Sequence, residues 1–357
     1  MHRLRRPFLD EGGAGRRPVS RGTGMERSEA IMPGPEISIL FLTWNSREEI
    51  LDGVRSALAQ TASGIEVIVF DNASEDGSAD LVAETFGSRV RVICFEDNLG
   101  YVGGYNRALR FAQGEWLVLV NPDVRLEADF VAQARGAFDD PRVGIVAGRL
   151  MRPDGQTIDS TGQFLARSRK TIDRGYGQRY DPERDREGSV LSACGAAAIY
   201  RRAMIEDISD DGEFFDVSYF AFHEDLEVGW RAWRAGWVAV YRPQAVATHL
   251  RAGGREAGFF GLGFRRSPAV IAHIVKNRYL SILRHDSTLA FFVDLPFILV
   301  RDLKLLFALA MFRPAVFREL WAWRACFRSM RCRRREDRRR HGRWGPWKRV
   351  TPPRGIW

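Results

Sequence analysis

Ile37–Asn45 (ISILFLTWN) and Ile65–Ser78 (IEVIVFDNASEDGS) each run from a short apolar stretch straight into a cluster of polar residues. A nearly continuous apolar run of this length suits a strand covered on both faces. Ile37–Leu42 and Ile65–Phe70 are therefore read as the first two strands, Val90–Phe95 as the third and Trp116–Val120 as the fourth. Pro122 stops the fourth at Asn121-Pro122-Asp123, and Val143–Ala147 reads as a fifth. Helices fit between them. Ser46-x-x-Glu49 has the form of a capping box opening one, the turn Asp71–Gly77 leads to a second ending at Phe86, and a Gly-rich turn precedes a third ending near Gly114. Strands alternating with helices predict an α/β, Rossmann-like, mostly parallel sheet with helices on both faces. Ligands of such sheets bind beyond the carboxyl ends of the strands. Four successive strands deliver polar groups there: Thr43 and Asn45, Asp71 and Asn72, Asn98, then Asp123.

Downstream, residues 150–190 are polar and rich in Gly, Arg and Asp, which predicts a long excursion of the kind that is often functional. Ser192–Tyr200 is a run of small and apolar residues. Phe222–Ala235 reads as a helix with Glu224 and Asp225 near its start, and Trp237–Tyr241 as a strand followed by His249. Residues 287–312 are strongly apolar but broken by Asp294, Arg301, Asp302 and Lys304. A membrane-spanning helix wants about 20 apolar residues with few charges, so an amphipathic helix lying in the membrane interface is expected. Arg313–Arg349 adds a basic tract interleaved with Trp321, Trp323, Trp344 and Trp347, a mixture suited to the headgroup layer of an anionic membrane.

The 357 residues are 45% hydrophobic and 28% charged, a globular composition with ample apolar material for a core. The net charge of +9 is concentrated in arginines at the two ends, with acidic segments around Glu75, Asp140 and Asp210 between them. Basic ends favour a polyanion. Cys94, Cys194, Cys326 and Cys332 have no CxxC spacing, which argues against zinc. Cys94 and Cys194 are expected to be buried free thiols. No secretory signal is visible. Residues 1–35 read as a disordered basic extension within which Met25 or Met32 is an alternative start. Residues 36–285 read as the main domain, in two parts at 36–150 and 151–285, and 286–357 as a membrane-associating region.

Several residues admit two readings. Asp71 either accepts from a nucleotide or simply forms a turn that caps the next helix. The Asn98-Leu99-Gly100 turn with Gly103 and Gly104 either aims N–H groups at a phosphate or lets a helix pack tightly on the sheet. Asp123 is a hard oxygen ligand for Mg2+ or Mn2+ or a strand-terminal turn residue. Glu224 and Asp225 are catalytic carboxylates or acids favoured in any first helical turn. Phe220, Phe222, Trp230, Trp233 and Trp237 are mainly core, with one or two free to stack on a sugar.

The order and spacing of Thr43-Trp44-Asn45, Asp71 to Ser78, Asn98-Leu99-Gly100 with Gly103, Gly104 and Asn106, Asn121-Pro122-Asp123, Glu224-Asp225 and His249 resemble the family 2 glycosyltransferases of the GT-A fold, especially the bacterial rhamnosyltransferase-like branch. The likeness runs from about residue 37 to 285, and it implies a nucleotide-binding half at 36–150 and an acceptor half at 151–285. It implies that a nucleotide-diphosphate sugar is held by Thr43, Asn45, Asp71, Asn98, Gly100, Asn106 and Asn121, and that Asp123 and His249 bind Mg2+ or Mn2+. It implies that Asp225 is the general base of an inverting transfer, assisted by Glu224. Many relatives have Asp-x-Asp where this chain has Asn121-x-Asp123, which removes one charge. The Gln-x-x-Arg-Trp of processive relatives is absent, so a single sugar is expected to move, from dTDP-rhamnose or a similar donor, or else a UDP-sugar, to a glycan or lipid-linked acceptor. The cytoplasmic side of the cell membrane is the expected location, and nucleic acid is not an expected partner. Two other readings are weaker. A nicotinamide-dependent oxidoreductase needs GxGxxG after the first strand, which is missing, and a non-catalytic basic membrane or nucleic-acid binder leaves the polar strand ends unexplained.

Overall fold

The computed structural model describes residues 34–251, 266–322 and 324–340. The extension expected at residues 1–35, save its last two residues, lies outside them, as do Met25, Met32, Trp323, Trp344 and Trp347.

In chain order the elements are β1 (Ile37–Thr43), α1 (Ile50–Leu58), β2 (Ile65–Asp71), α2 (Ser78–Phe86), β3 (Arg91–Cys94), α3 (Gly100–Ala108), β4 (Trp116–Val120), β5 (Val124–Leu126), α4 (Phe130–Arg135) and β6 (Val143–Met151). Then come β7 (Ile158–Ser160), β8 (Gln163–Leu165), β9 (Thr171–Asp173), β10 (Gly188–Val190), β11 (Ala197–Arg201), α5 (Arg202–Ile208), α6 (Glu224–Ala235) and β12 (Val238–His249). Four helices close the described residues: α7 (Pro268–His285), α8 (Thr288–Phe312), α9 (Ala315–Ala322) and α10 (Arg324–Arg340). The main sheet runs β10-β12-β6-β11-β4-β1-β2-β3, with β5 on β12 and β7 on β6. β1 to β4 are mutually parallel, β12 is parallel to β6, and β11 runs antiparallel between β4 and β6. The sheet is thus mixed but mostly parallel. Because strand side chains alternate between faces, Leu40, Ile68, Phe70 and Leu119 pack with α3 on one side. Ile39, Phe41, Val69 and Val118 pack with α1 on the other.

Several local expectations need correction. Ser46 and Glu49 form no capping box. α1 begins at Ile50 with no side-chain cap, and Ser46 offers its carbonyl to the N–H groups of Glu49 and Ile50 (3.2 and 3.0 Å) while its hydroxyl donates to Trp44 O. α3 ends at Ala108, short of Gly114. Cys94 is exposed, because β3 is the edge strand, and Cys194 is only half-buried. Residues 150–190 carry four three-residue strands, β7 to β10.

Asp294 and Asp302, two of the charges that interrupt 287–312, are buried, Arg301 is half-buried and Lys304 is exposed. Asp294 accepts from Arg167 and Arg169 (2.6 and 2.8 Å), and Asp302 pairs with Arg278 (2.8 Å). The opposite face of α8 is left apolar and exposed, with Leu289, Phe292, Val300, Leu303, Phe307 and Met311 on it. Among the described residues no helix is long and apolar enough to cross a membrane. The basic tract partly answers the protein's own acids. Arg333 and Arg340 of α10 lie against Asp210 (3.6 and 3.3 Å).

Arg284 of α7 is the buried hub of this docking. It meets Asp210, Asp216, Asp337 of α10 and Glu227 of α6. Replacing Arg284 by Met leaves four carboxylates without their shared cation, a loss of about 3–5 kcal/mol for a broken buried ion pair. Urea unfolding of R284M is expected to show that drop in stability.

Candidate active site

The carboxyl edge of β1 and β2 is flush, because Thr43 and Asp71 are register partners. Both are buried, and each keeps one polar atom without a protein partner, Thr43 Oγ1 and Asp71 Oδ1. The other Asp71 oxygen accepts from Ser74 N–H at 2.9 Å. The turn reading therefore accounts for half of this carboxylate, and its buried orphan oxygen is of the kind a ligand N–H or O–H satisfies. Trp44 stands exposed beside the pair.

The neighbouring polar residues have internal work. Asn45, in left-handed backbone (φ 48°), accepts from Glu75 N–H at 2.9 Å. Asn98 Oδ1 accepts from Asn72 Nδ2 and Gly100 N–H, while Leu99 N–H goes to Asn72 Oδ1 and Val102 N–H to Phe220 O. These N–H groups at the start of α3 are spent inside the protein, which removes them as a phosphate cradle. A side chain at Gly100 (φ +68°) would strike the Phe220 ring, and one at Gly104 would strike Leu42. Both glycines serve close packing. Asn106 is buried with its amide clamped on the Phe215 main chain in both directions at 2.8 Å. Asn121 gives its N–H to Ala196 O at 2.9 Å.

Asp123 and His249 do come together. The β5–β12 pairing sets His249 opposite Val124, and His249 Nε2 lies 3.4 Å from Asp123 Oδ2. His249 Nδ1 lies 2.8 Å from Asp159 Oδ2 on β7, and Arg251 Nε donates to the other Asp159 oxygen. Burial alone would lower the His249 pKa, but the two carboxylates outweigh it and lift it to about 9. A carboxylate behind one ring nitrogen fixes the orientation with which the other nitrogen meets a metal. One oxygen and one nitrogen ligand fit a divalent ion whose remaining positions come from its ligand. Among the described residues no cluster of three or more acidic, His or Cys side chains is placed to hold a metal.

Asp225 is half-buried at the start of α6. Its Oδ2 accepts from Gly195 N–H (3.0 Å) and Gln163 Nε2 (2.8 Å), and Oδ1 from Leu226 N–H. Burial raises its pKa, with these three hydrogen bonds pulling the other way. Glu224 is buried, and burial together with the Asp225 charge lifts its pKa well above the usual carboxylate range. Burial and Asp225 also push the Asp173 carboxyl up to about 6, and Asp173, Asp225 and Asp159 all act on the Cys194 thiol. Asp159, which orients His249, and Asp225 thus share one neighbourhood.

Asp225 owes its place to the preceding loop. Phe220, Phe222 and His223 all have positive φ (63°, 70° and 74°). α7 pins them: Lys276 donates to Ser218 O, and Asn277 Nδ2 faces the carbonyls of Tyr219, Ala221 and Phe222 at 2.7–3.0 Å. His223, its pKa lowered by burial to about 3, lies 3.0 Å from Thr171 Oγ1. Phe220 and Phe222 are exposed at the site and Trp230 is core. Sequence reasoning missed Gln163, Asp159, Asp173 and Asn277. The first three sit in the excursion, where nothing in the pattern marks them.

A model of glycosyl transferase family 2 matches residues 38–209. An N-acetylglucosaminyl-diphospho-decaprenol L-rhamnosyltransferase of Mycobacterium tuberculosis is 24% identical over 244 residues, covering 60% of this chain and 76% of the relative. Among solved structures, S. aureus TarS 1-349 in complex with UDP-GlcNAc aligns with a TM-score of 0.54 at 17% identity, covering 85% of this chain and 89% of that one. GalNAc-T7 with UDP, GalNAc and Mn2+ aligns with a TM-score of 0.53 at 13% identity, and 48% of its length is covered by 70% of this chain. The two structures speak for the fold, which is GT-A.

The environment of Asp225 makes opposite predictions for two neighbours. Asp173→Asn removes a nearby negative charge and moves the Asp225 titration to lower pH; Gln163→Ala removes a bond to the ionised form and moves it higher. Carbon-13 NMR of labelled aspartate is expected to show both movements.

Proposed function

We propose that this chain, whose residues 38–209 match the model of glycosyl transferase family 2, is a metal-dependent, inverting enzyme transferring one sugar from a nucleotide diphosphate to a cell-envelope glycan or lipid-linked acceptor. The observation that carries this reading is the Asp225 carboxylate, held by Gly195 and Gln163 at the start of α6 with its pKa raised by burial. A base accepts the acceptor hydroxyl proton while that oxygen attacks the anomeric carbon on the face opposite the leaving group. Burial, and after it the Asp225 charge, pushes the Glu224 pKa up. Thr43 Oγ1 and Asp71 Oδ1 offer their unpartnered atoms to the nucleoside, and Asn121 lies on the same edge.

Asp123 and His249 would hold Mg2+ or Mn2+, which when bound offsets the charge of the departing diphosphate. The fit of the site supports this, as does the Mn2+ named with GalNAc-T7. For the donor, which we take to be dTDP-linked, the M. tuberculosis relative's name supports rhamnose as the sugar, and the UDP-GlcNAc of the TarS complex supports a UDP-sugar as runner-up. The same relative's diphospho-decaprenol acceptor, together with the bare apolar face of α8, supports a lipid-linked acceptor met by a peripheral enzyme at the cytoplasmic membrane face.

Asp225→Asn is expected to lower the transfer rate by about 10²–10⁴, the usual worth of a general base, with nucleotide affinity retained; undiminished transfer by this variant sinks the mechanism. The membrane placement has its own check. F292D/F307D, which alters only exposed residues, is expected to lose sedimentation with anionic vesicles while keeping its fold.

A further inference from the structure

The wall that carries Asp159 and Asp173 has a second side. Asp159 turns to His249 and Asp173 to Ser160, whereas the adjacent Ile158 and Arg174 line a separate pocket of about 460 Å3 closed by residues 175–186. Arg174, Arg179, Arg184 and Arg186 all face this space.

Arg174 is the unusual member. It is only 6% exposed, its Nε donates to Thr161 Oγ1 at 2.8 Å, and its guanidinium lies over the Tyr241 ring. The two acids of the pocket are committed to other groups. Asp185 accepts from Arg149 and from Tyr241 Oη, each at 2.7 Å, and Asp181 pairs with Arg184 at 3.3 Å. Among the described residues, Arg174, Arg179 and Arg186 have no carboxylate within ion-pair distance. Burial pulls the Arg174 pKa below its ordinary value, yet a guanidinium does not shed its proton in a protein. Asp185 acts on it electrostatically without pairing directly; a buried cation that lacks a direct counter-ion is costly, and this one stands beside a cavity.

We propose that this pocket is an anion site apart from the nucleotide edge, taking a phosphoryl or diphosphoryl group against Arg174, with Arg179 and Arg186 at its mouth. Three unpaired guanidinium groups around one space match an anion with several charged oxygens better than a single carboxylate, which one fork saturates. The anion is either free or the head of a lipid-linked molecule, and both present the same oxygens. Because Asp159 and Asp173 are neighbours of pocket residues along the chain, filling it steadies the wall that orients His249.

Isothermal titration of the full chain in EDTA with inorganic pyrophosphate, then with geranyl diphosphate, tests the site. Arg174→Gln is expected to weaken pyrophosphate binding by about tenfold or more, the worth of a charge-assisted hydrogen bond, without lowering the melting temperature in phosphate-free buffer. R179S/R186S, at exposed positions, is expected to weaken it too and decides alone if R174Q fails to fold. Tighter binding of geranyl diphosphate, lost in these variants, assigns the lipid-linked source; equal or weaker binding assigns the free anion. No binding to the unaltered chain, or the same binding in the variants, overturns the proposal.

Discussion

Three left-handed residues, Phe220, Phe222 and His223, immediately precede the helix that bears Glu224 and Asp225. Non-glycine residues in that region cost on the order of 1–3 kcal/mol each and persist only where the surroundings over-determine them. Here α7 does so with Lys276 and Asn277, and the loop in turn supplies Phe220 O to the start of α3. α7 is itself held by Arg284 and by its packing on α9 and α10. The helices that look like an appendage in the sequence are therefore part of the support for the Asp225 carboxylate. Deleting them to probe membrane binding would disturb the site, whereas surface changes on α8 would not.

The site concentrates acids and manages them differently. Asp159 is ionised by hydrogen bonds to His249 and Arg251, which overcome its burial. Burial, with the Asp225 charge, pushes Glu224 well above the usual range. Asp173 is pushed up to about 6, and Asp225 is raised but tempered by three hydrogen bonds. Carboxylates so close disfavour one another's charge in a partly buried space, so the environment sets their pKa values apart. That sorting is what the proposed chemistry requires.

Much of the architecture was legible because strands buried on both faces are written as apolar runs. Thr43, Asp71 and Asp123 follow from where those runs stop, and the convergence of Asp123 with His249 agrees with the resemblance in motif order. What was not legible depends on hydrogen bonds across long separations. Asn45, Asn98 and Asn106 have the residue types of a ligand site, but groups distant in sequence engage the side-chain oxygens of Asn45 and Asn98 and both ends of the Asn106 amide. The Gly100 N–H is spent locally, on Asn98 Oδ1. Asp294 and Asp302 looked like breaks in an apolar helix because their arginine partners lie more than twenty residues away in sequence. Gln163 and Asp159 sit in three-residue strands too short to leave a periodic signal.

The central claim is a single carboxylate base opposing the leaving group across the anomeric carbon. The anomeric configuration of the product, read by proton NMR during turnover of whichever nucleotide sugar supports transfer, tests it most directly. Inversion relative to the donor is the expected result, and retention would contradict the direct displacement assigned to Asp225.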